Sequence, residues 1–159
     1  MSGTTAVAEI KGFSGEFRFL SNFHEAAVTF DGHTYPTAEH AFQAAKTMDL
    51  EERRKIRQEL TPGRAKRLGR KVAIRPDWEE VKFNVMLELV RQKFWRHPDL
   101  AERLVATGNA RLEETNSWND TIWGVCNGVG ENRLGEILMQ VRGELRQLQA
   151  DLNWSNWTE

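Results

Sequence analysis

In the stretch Thr37-Ala38-Glu39-His40-Ala41-Phe42-Gln43-Ala44-Ala45-Lys46, a short helix carries two distinct faces. Pro36 precedes it, and the Thr37 hydroxyl can accept an unpaired N–H of the first turn as an N-cap. Ala38, Ala41, Phe42 and Ala45 recur at helical spacing and form an apolar stripe. Glu39, Gln43 and Lys46 fall at i, i+4 and i+7, on one adjoining face. The small alanines let other backbone pack close, which would set that polar face at the floor of a cleft. A carboxylate, an amide and an amine so aligned offer a base, an orienting group and a cation or nucleophile. The same spacing also describes an ordinary solvated helix face.

Upstream, Phe13, Phe17 and Phe19 alternate with small and charged residues, a pattern that predicts a strand ending at Ser21-Asn22. Val28-Thr29-Phe30 and His33-Thr34-Tyr35 flank Asp31-Gly32, a strong hairpin signal because a type I′ turn needs positive φ at both central residues. A small antiparallel sheet near the N-terminus therefore precedes the Thr37 helix, and its tight connection holds Glu39 near Arg18 and Asn22.

Downstream the pattern is helical. Residues 51–60 form a charged helix, and Thr61 caps a short one with Pro62 at its first position. Asp77 is a suitable N-cap for a long core helix carrying Trp78, Val81, Val85, Met86, Leu89, Val90 and Phe94 on one stripe. Trp78 either anchors that helix or stacks on a planar ligand. His97-Pro98-Asp99 starts another helix, which Gly108 ends. Residues 110–115 are a short strand or an extended link, and Ile137, Leu138, Val141 and Leu145 mark a final amphipathic helix. The fold class is α+β, mainly helical, in one compact domain over 13–149. Residues 1–12 are expected to be a flexible start and 150–159 a C-terminal tail, in which Trp154 and Trp157 either fold back or fray.

The 159 residues suit a single core. No apolar run reaches the roughly 20 residues needed to span a bilayer. The N-terminus lacks the basic and apolar regions of a secretory signal, and one cysteine, Cys126, excludes an internal disulfide. A cytoplasmic location follows as the expectation. Net charge is only −1, yet nearly half of the 22 lysines and arginines lie between Arg53 and Arg75, opposed there by Glu59 alone. That segment either attracts phosphates or a nucleic-acid backbone, or is a set of solvated helix faces.

A second informative stretch runs from Asn116 to Gly135. It holds Trp118, Trp123, Asp120, several amides and Gly128, Gly130 and Gly135 ahead of the last helix. Glycines before a helix can bring backbone N–H groups to an anion. The spacing matches no dinucleotide or nucleoside-triphosphate loop, however, and tight packing explains it equally well.

Several blocks in order resemble the NADAR domain. They are Phe19-Leu20-Ser21-Asn22-Phe23, the Thr37-Ala38-Glu39-His40 helix with Gln43 and Lys46, Arg75-Pro76-Asp77-Trp78, and Met86 through Phe94. Thr107-Gly108, Glu113-Glu114, Asp120-Thr121-Ile122-Trp123-Gly124 and Asn132 through Arg142 continue the match. The resemblance spans about Phe13 to Arg142. It implies a mostly helical domain that cleaves N-glycosidic bonds, with two substrate classes in the family. One is the phosphorylated ribosylaminopyrimidines of early riboflavin synthesis; the other is ADP-ribose on guanine, in nucleoside or DNA.

By the same resemblance, Glu39, Lys46 and Asp120 are the catalytic residues. Lys46 matches the motif lysine that attacks C1′ through a Schiff base in the ADP-ribose-processing members. Substrate contacts are expected from Arg18, Ser21, Asn22, Phe23, Gln43, Trp78, Trp123, Gly124, Asn132 and Arg133. Among these, Arg18, Arg133 and the Gly128–Gly135 turn are the candidates for phosphate. Cys126 departs from the family pattern, where a glycine is expected, and bears on substrate preference. The four histidines share no metal-ligand spacing, and neither metal nor cofactor is expected. The partner is a ribosylated, phosphorylated small molecule, with ADP-ribosylated nucleic acid as a further possibility; oligomeric state is left open. The rival class is a non-catalytic module that binds ADP-ribose or nucleotide.

Overall fold

A computed structural model describes residues 8–155. Its centre is helix α1, Ala38–Ala45, all eight residues of which are buried. Thr37 caps it, accepting the His40 N–H at 3.1 Å. The same hydroxyl meets His40 Nδ1 at 2.7 Å, while His40 Nε2 reaches the Glu59 carbonyl at 3.0 Å. Nε2 therefore donates and Nδ1 accepts, so His40 is a fully bonded strut between α1 and the chain after α2. Alanine side chains leave α1 thin enough to pack at once against α2 (Leu50–Arg57), α3 (Pro62–Gly69) and α4 (Trp78–Arg96).

The hairpin forms as its sequence predicts. β2 (Val28–Phe30) pairs antiparallel with β3 (His33–Tyr35), Val28 opposite Tyr35. Asp31 and Gly32 take φ of 45° and 79°, the left-handed pair of a type I′ turn. Glu39 N–H bonds the Asn22 carbonyl at 3.1 Å, which ties the start of α1 to the Ser21–Phe23 loop.

The upstream strand does not form. Gly15–Leu20 is a 3-10 helix, entered through Gly15 at φ 58° and closed by the Phe17 N–H on the Ser14 carbonyl. Phe19 reaches the core from this tighter backbone and Phe13 from just before it, so the aromatic alternation serves a helix entry rather than a strand. Residues 9–11, assigned to a flexible start, instead form strand β1 (Glu9–Lys11). It pairs in parallel with β4 (Arg111–Glu113), Ile10 opposite Leu112.

α4 begins at Trp78 as its stripe predicts, but the Asp77 carboxylate does not cap it. Asp77 instead accepts Arg75 Nε at 2.6 Å and Nη2 at 2.9 Å, a forked ionic contact that turns the carboxylate away from the first turn. α5 (Pro98–Ala106) ends before Gly108 at φ 66°. α6 (Arg133–Ser155) packs on α4, α5 and β4 and runs past the expected boundary at 149. Arg91 and Glu144 pin α4 to α6 at 2.8 Å. Trp157 and the side chain of Trp154 lie outside what is described. No helix among the described residues is long and apolar enough to cross a membrane.

Candidate active site

One cleft of about 280 Å³ opens beside α1, between the Ser21–Phe23 loop, α3, α4 and the segment 114–123. Glu39, Lys46, Asp120, Ser21, Asn22, Phe23, Gln43, Trp78 and Trp123 all line it. Four expected contacts do not: Arg18, Gly124, Asn132 and Arg133. Lys66, Lys82, Glu114 and Trp118 line it without having been anticipated.

Its floor is the polar stripe of α1. Glu39 and Gln43 are only 7% and 3% exposed, so this stripe is no solvated face. Gln43 Nε2 donates to Glu39 Oε1 at 2.8 Å and fixes the carboxylate's orientation. Burial pushes the Glu39 pKa up. The Gln43 hydrogen bond and then Lys66 and Lys46 oppose that shift by favouring the anion. Burial lowers the Lys46 pKa, with Lys66 and Arg70 acting in the same sense and Glu39 against. An amine so depressed is more available as a free base.

The walls are aromatic. Phe42 contacts Trp78 at 5.1 Å and Trp123 edge-on at 5.2 Å between ring centroids. Trp78 is thus both core anchor and cleft wall: it is 6% exposed, and what it shows faces the cavity. At the mouth, Lys66 Nζ lies 5.4 Å from the Trp118 ring and 6.0 Å from that of Phe23. Phe23, Lys66 and Trp118 thereby combine a planar apolar rim with a cation.

Asp120 is held rigidly. Its Oδ1 accepts the Ile122 and Trp123 N–H groups at 3.1 and 2.9 Å, and its own N–H donates to Asn116 Oδ1 at 3.0 Å. This turn leads into β6 (Val125–Cys126), which pairs in parallel with β5 (Thr115–Asn116). Cys126 is buried in β6 with its thiol 3.9 Å from Asn119 Oδ1, away from the cleft lining.

Gly124 and Asn132 act behind the site rather than in it. A Cβ on Gly124 would fall 2.2 Å from the Glu114 carbonyl oxygen, so only glycine fits there. Asn132 is 1% exposed; its Oδ1 accepts the Glu114 N–H at 3.0 Å and its Nδ2 donates to the Leu112 carbonyl at 2.9 Å. Their common neighbour is Glu114. Arg133 is exposed, paired with Glu131 at 3.2 Å and stacked 4.4 Å from the Phe83 ring. Arg18 is exposed on the 3-10 helix. The Asn127-Gly128 turn, closed by a Cys126–Val129 bridge, also lies off the cleft. The cations that do line it are Lys46, Lys66 and Lys82.

The basic segment divides accordingly. Arg53 is buried, bonded to Asp31 at 2.6 Å and to the Thr47 carbonyl at 2.7 Å. Arg57 lies 5.8 Å from the Tyr35 ring, and Arg75 is committed to Asp77. Lys66 alone of this segment reaches the cleft, while Arg64, Arg67 and Lys71 border a separate surface groove with Glu59 and Leu68. Lys82 carried a usable signal, four residues after Trp78 and hence on the same helix face. Glu114 carried none, since adjacent glutamates do not reveal which one turns inward.

The NADAR domain model matches residues 11–146. The chain belongs to the NADAR domain family. It is 42% identical over 135 residues to the N-glycosidase YbiA of Escherichia coli (strain K12), covering 83% of this chain and 84% of that one. The NMR structure of the E. coli protein YbiA superposes with a TM-score of 0.81 at 38% identity, covering 91% of this chain and 89% of the other. A riboflavin biosynthesis protein of Vibrio vulnificus is 39% identical over 132 residues, 81% of this chain and 36% of that longer protein.

Proposed function

We propose that this NADAR domain is an N-glycosidase that hydrolyses the C1′–N bond of phosphorylated ribosylaminopyrimidines, the early intermediates of riboflavin synthesis. The observation that carries the reading is a buried carboxylate, Glu39, oriented by Gln43 at the floor of an aromatic-walled cleft with Asp120 and three lysines around it. Cleaving a C1′–N bond develops positive charge on the sugar, so negative charge must wait near C1′. Glu39 supplies it and takes the proton of the attacking water, while Asp120 holds the ribose hydroxyls. Trp78 and Trp123 flank the base, and Lys66 takes the phosphate at the mouth. The relatives named as an N-glycosidase and a riboflavin biosynthesis protein support this substrate class. So does the cleft volume of about 280 Å³, just below the roughly 300–1,000 Å³ usual for ligand sites, which suits a mononucleotide better than a larger ligand.

A second reading rests on Lys46. Its lowered pKa suits attack on a ring-opened ribose, the chemistry of members that remove ADP-ribose from guanine. A purely binding module would need neither this amine nor the buried carboxylate. The test is a paired turnover assay followed by mass spectrometry, one arm with the ribosylaminopyrimidine phosphate and the other with ADP-ribosylated guanosine. Release of ribose 5-phosphate in the first arm is expected. Release of ADP-ribose in the second alone would favour the Lys46 reading, and turnover of neither would favour binding without catalysis.

A further inference from the structure

Resting on the N-glycosidase reading, we infer that Glu114 is a third catalytic carboxyl in the cleft, the proton donor to the departing ring-substituent nitrogen. Neither Glu39 nor Asp120 is well placed for that task. Glu39 Oε1 already accepts from Gln43 Nε2, and Asp120 Oδ1 from two backbone N–H groups. Glu114 lines the same cavity, and its Oε2 is buried with no hydrogen-bond partner. Buried polar oxygens are rarely left unpaired without a reason, and an acid that must hand its proton to a bound substrate is one.

The contrast with its neighbour is direct. Glu113 faces the other way, accepting Arg111 Nη1 at 2.7 Å and the Thr115 hydroxyl, and those contacts hold its pKa below the usual range. Glu114 is pushed up to about 7, first by burial and then by the charges of Asp120 and Glu39, with Lys66 opposing. The surrounding chain is built to hold it. Asn132 takes the Glu114 N–H, the Val125 N–H donates to the Glu114 carbonyl at 2.8 Å, and Gly124 leaves room for that carbonyl.

The step balances as a hydrolysis. The C1′–N electron pair leaves with nitrogen, which takes the proton from Glu114 Oε2. Water oxygen bonds to C1′ and loses its proton to Glu39. Exchange with solvent then returns Glu114 to the acid and Glu39 to the anion. Because the donor must be protonated, kcat/KM falls as pH rises through about 7.

The deciding experiment is the pH profile of ribose 5-phosphate release for the wild type, Glu114→Gln and Glu114→Asp, with melting curves for each. Glu114→Gln is expected to fold and to lose on the order of 100-fold or more in rate, the usual worth of a general acid. Its residual rate is expected to show no alkaline fall. Glu114→Asp keeps the fall at a lower rate, and it carries the test if the glutamine variant does not fold. Wild-type rates in Glu114→Gln, or lower rates with the alkaline fall retained, would overturn the assignment while leaving the N-glycosidase reading intact. Lack of turnover by the wild type itself would overturn both.

Discussion

Gly69 on α3 and Gln43 on α1 share one space: a Cβ on Gly69 would stand 1.9 Å from Gln43 Oε1 and 2.8 Å from Cδ. The absent side chain lets α3 close onto α1 and keeps the Gln43 amide directed at Glu39. α3 therefore shapes the cleft floor through the amide, as well as bringing Lys66 to the cleft.

Gly69→Ala separates that role from stability. Gly69 is the last residue of α3, so alanine's helix preference, less than about 1 kcal/mol there, offsets only part of the crowding. Gly69→Ala is expected to fold with Tm within a few degrees of wild type, with Gln43 displaced and Glu39 losing its 2.8 Å partner. kcat should drop about tenfold, the effect of losing one hydrogen bond to a charged group worth about 1.5 kcal/mol. Steady-state kinetics beside a melting curve checks this, and unchanged kcat would detach Gln43 from the chemistry.

Lys66→Ala bears on substrate binding. One charge-assisted contact to phosphate is worth about 1.5–3 kcal/mol, so KM for the phosphorylated substrate should rise at least about tenfold. The wild-type preference over the dephosphorylated nucleoside should shrink by the same factor. An equal effect on both substrates would place the phosphate elsewhere.

Much of this was legible in the sequence. The Asp31-Gly32 hairpin, the Thr37 cap and the α4 stripe follow from local rules, and the family motif carried Glu39, Lys46, Trp78 and Asp120 to one cleft. What local patterns do not hold is the direction a side chain takes once distant segments meet. Arg133, expected as a phosphate ligand, pairs instead with Glu131 and stacks on the Phe83 ring, off the cleft lining. Gly124 and Asn132 were expected as contacts but pack against the Glu114 backbone behind the cleft, beside the parallel pairing of β5 with β6. The strand predicted at Phe13–Phe19 failed because alternating aromatics fit a 3-10 turn as well, and Gly15 decides between them.

Lys93 predicts a pH dependence of stability. It is 1% exposed, donates to the Ser21 carbonyl at 2.7 Å, and burial pulls its pKa down to about 7. The unfolded chain titrates this lysine near 10.4, so between about pH 7 and 10 it binds more protons than the native state. Stability contributed by this group therefore rises with pH across that window. Melting curves from pH 7 to 9 should show Lys93→Met flattening this rise. A slope unchanged by the substitution would mean that the native amine is charged.

Glu39→Gln, given saturating ribosylaminopyrimidine phosphate and scored for ribose 5-phosphate by mass spectrometry beside a melting curve, tests whether this carboxylate does the chemistry. Because burial raises the Glu39 pKa in the folded state, its contribution to stability is full in acid and lost as pH rises through the folded value. At pH 7 the amide removes that cost, so Tm should be no lower than wild type. No detectable ribose 5-phosphate is expected from this folded variant. Release at the wild-type rate, with an unchanged melting curve, would contradict it.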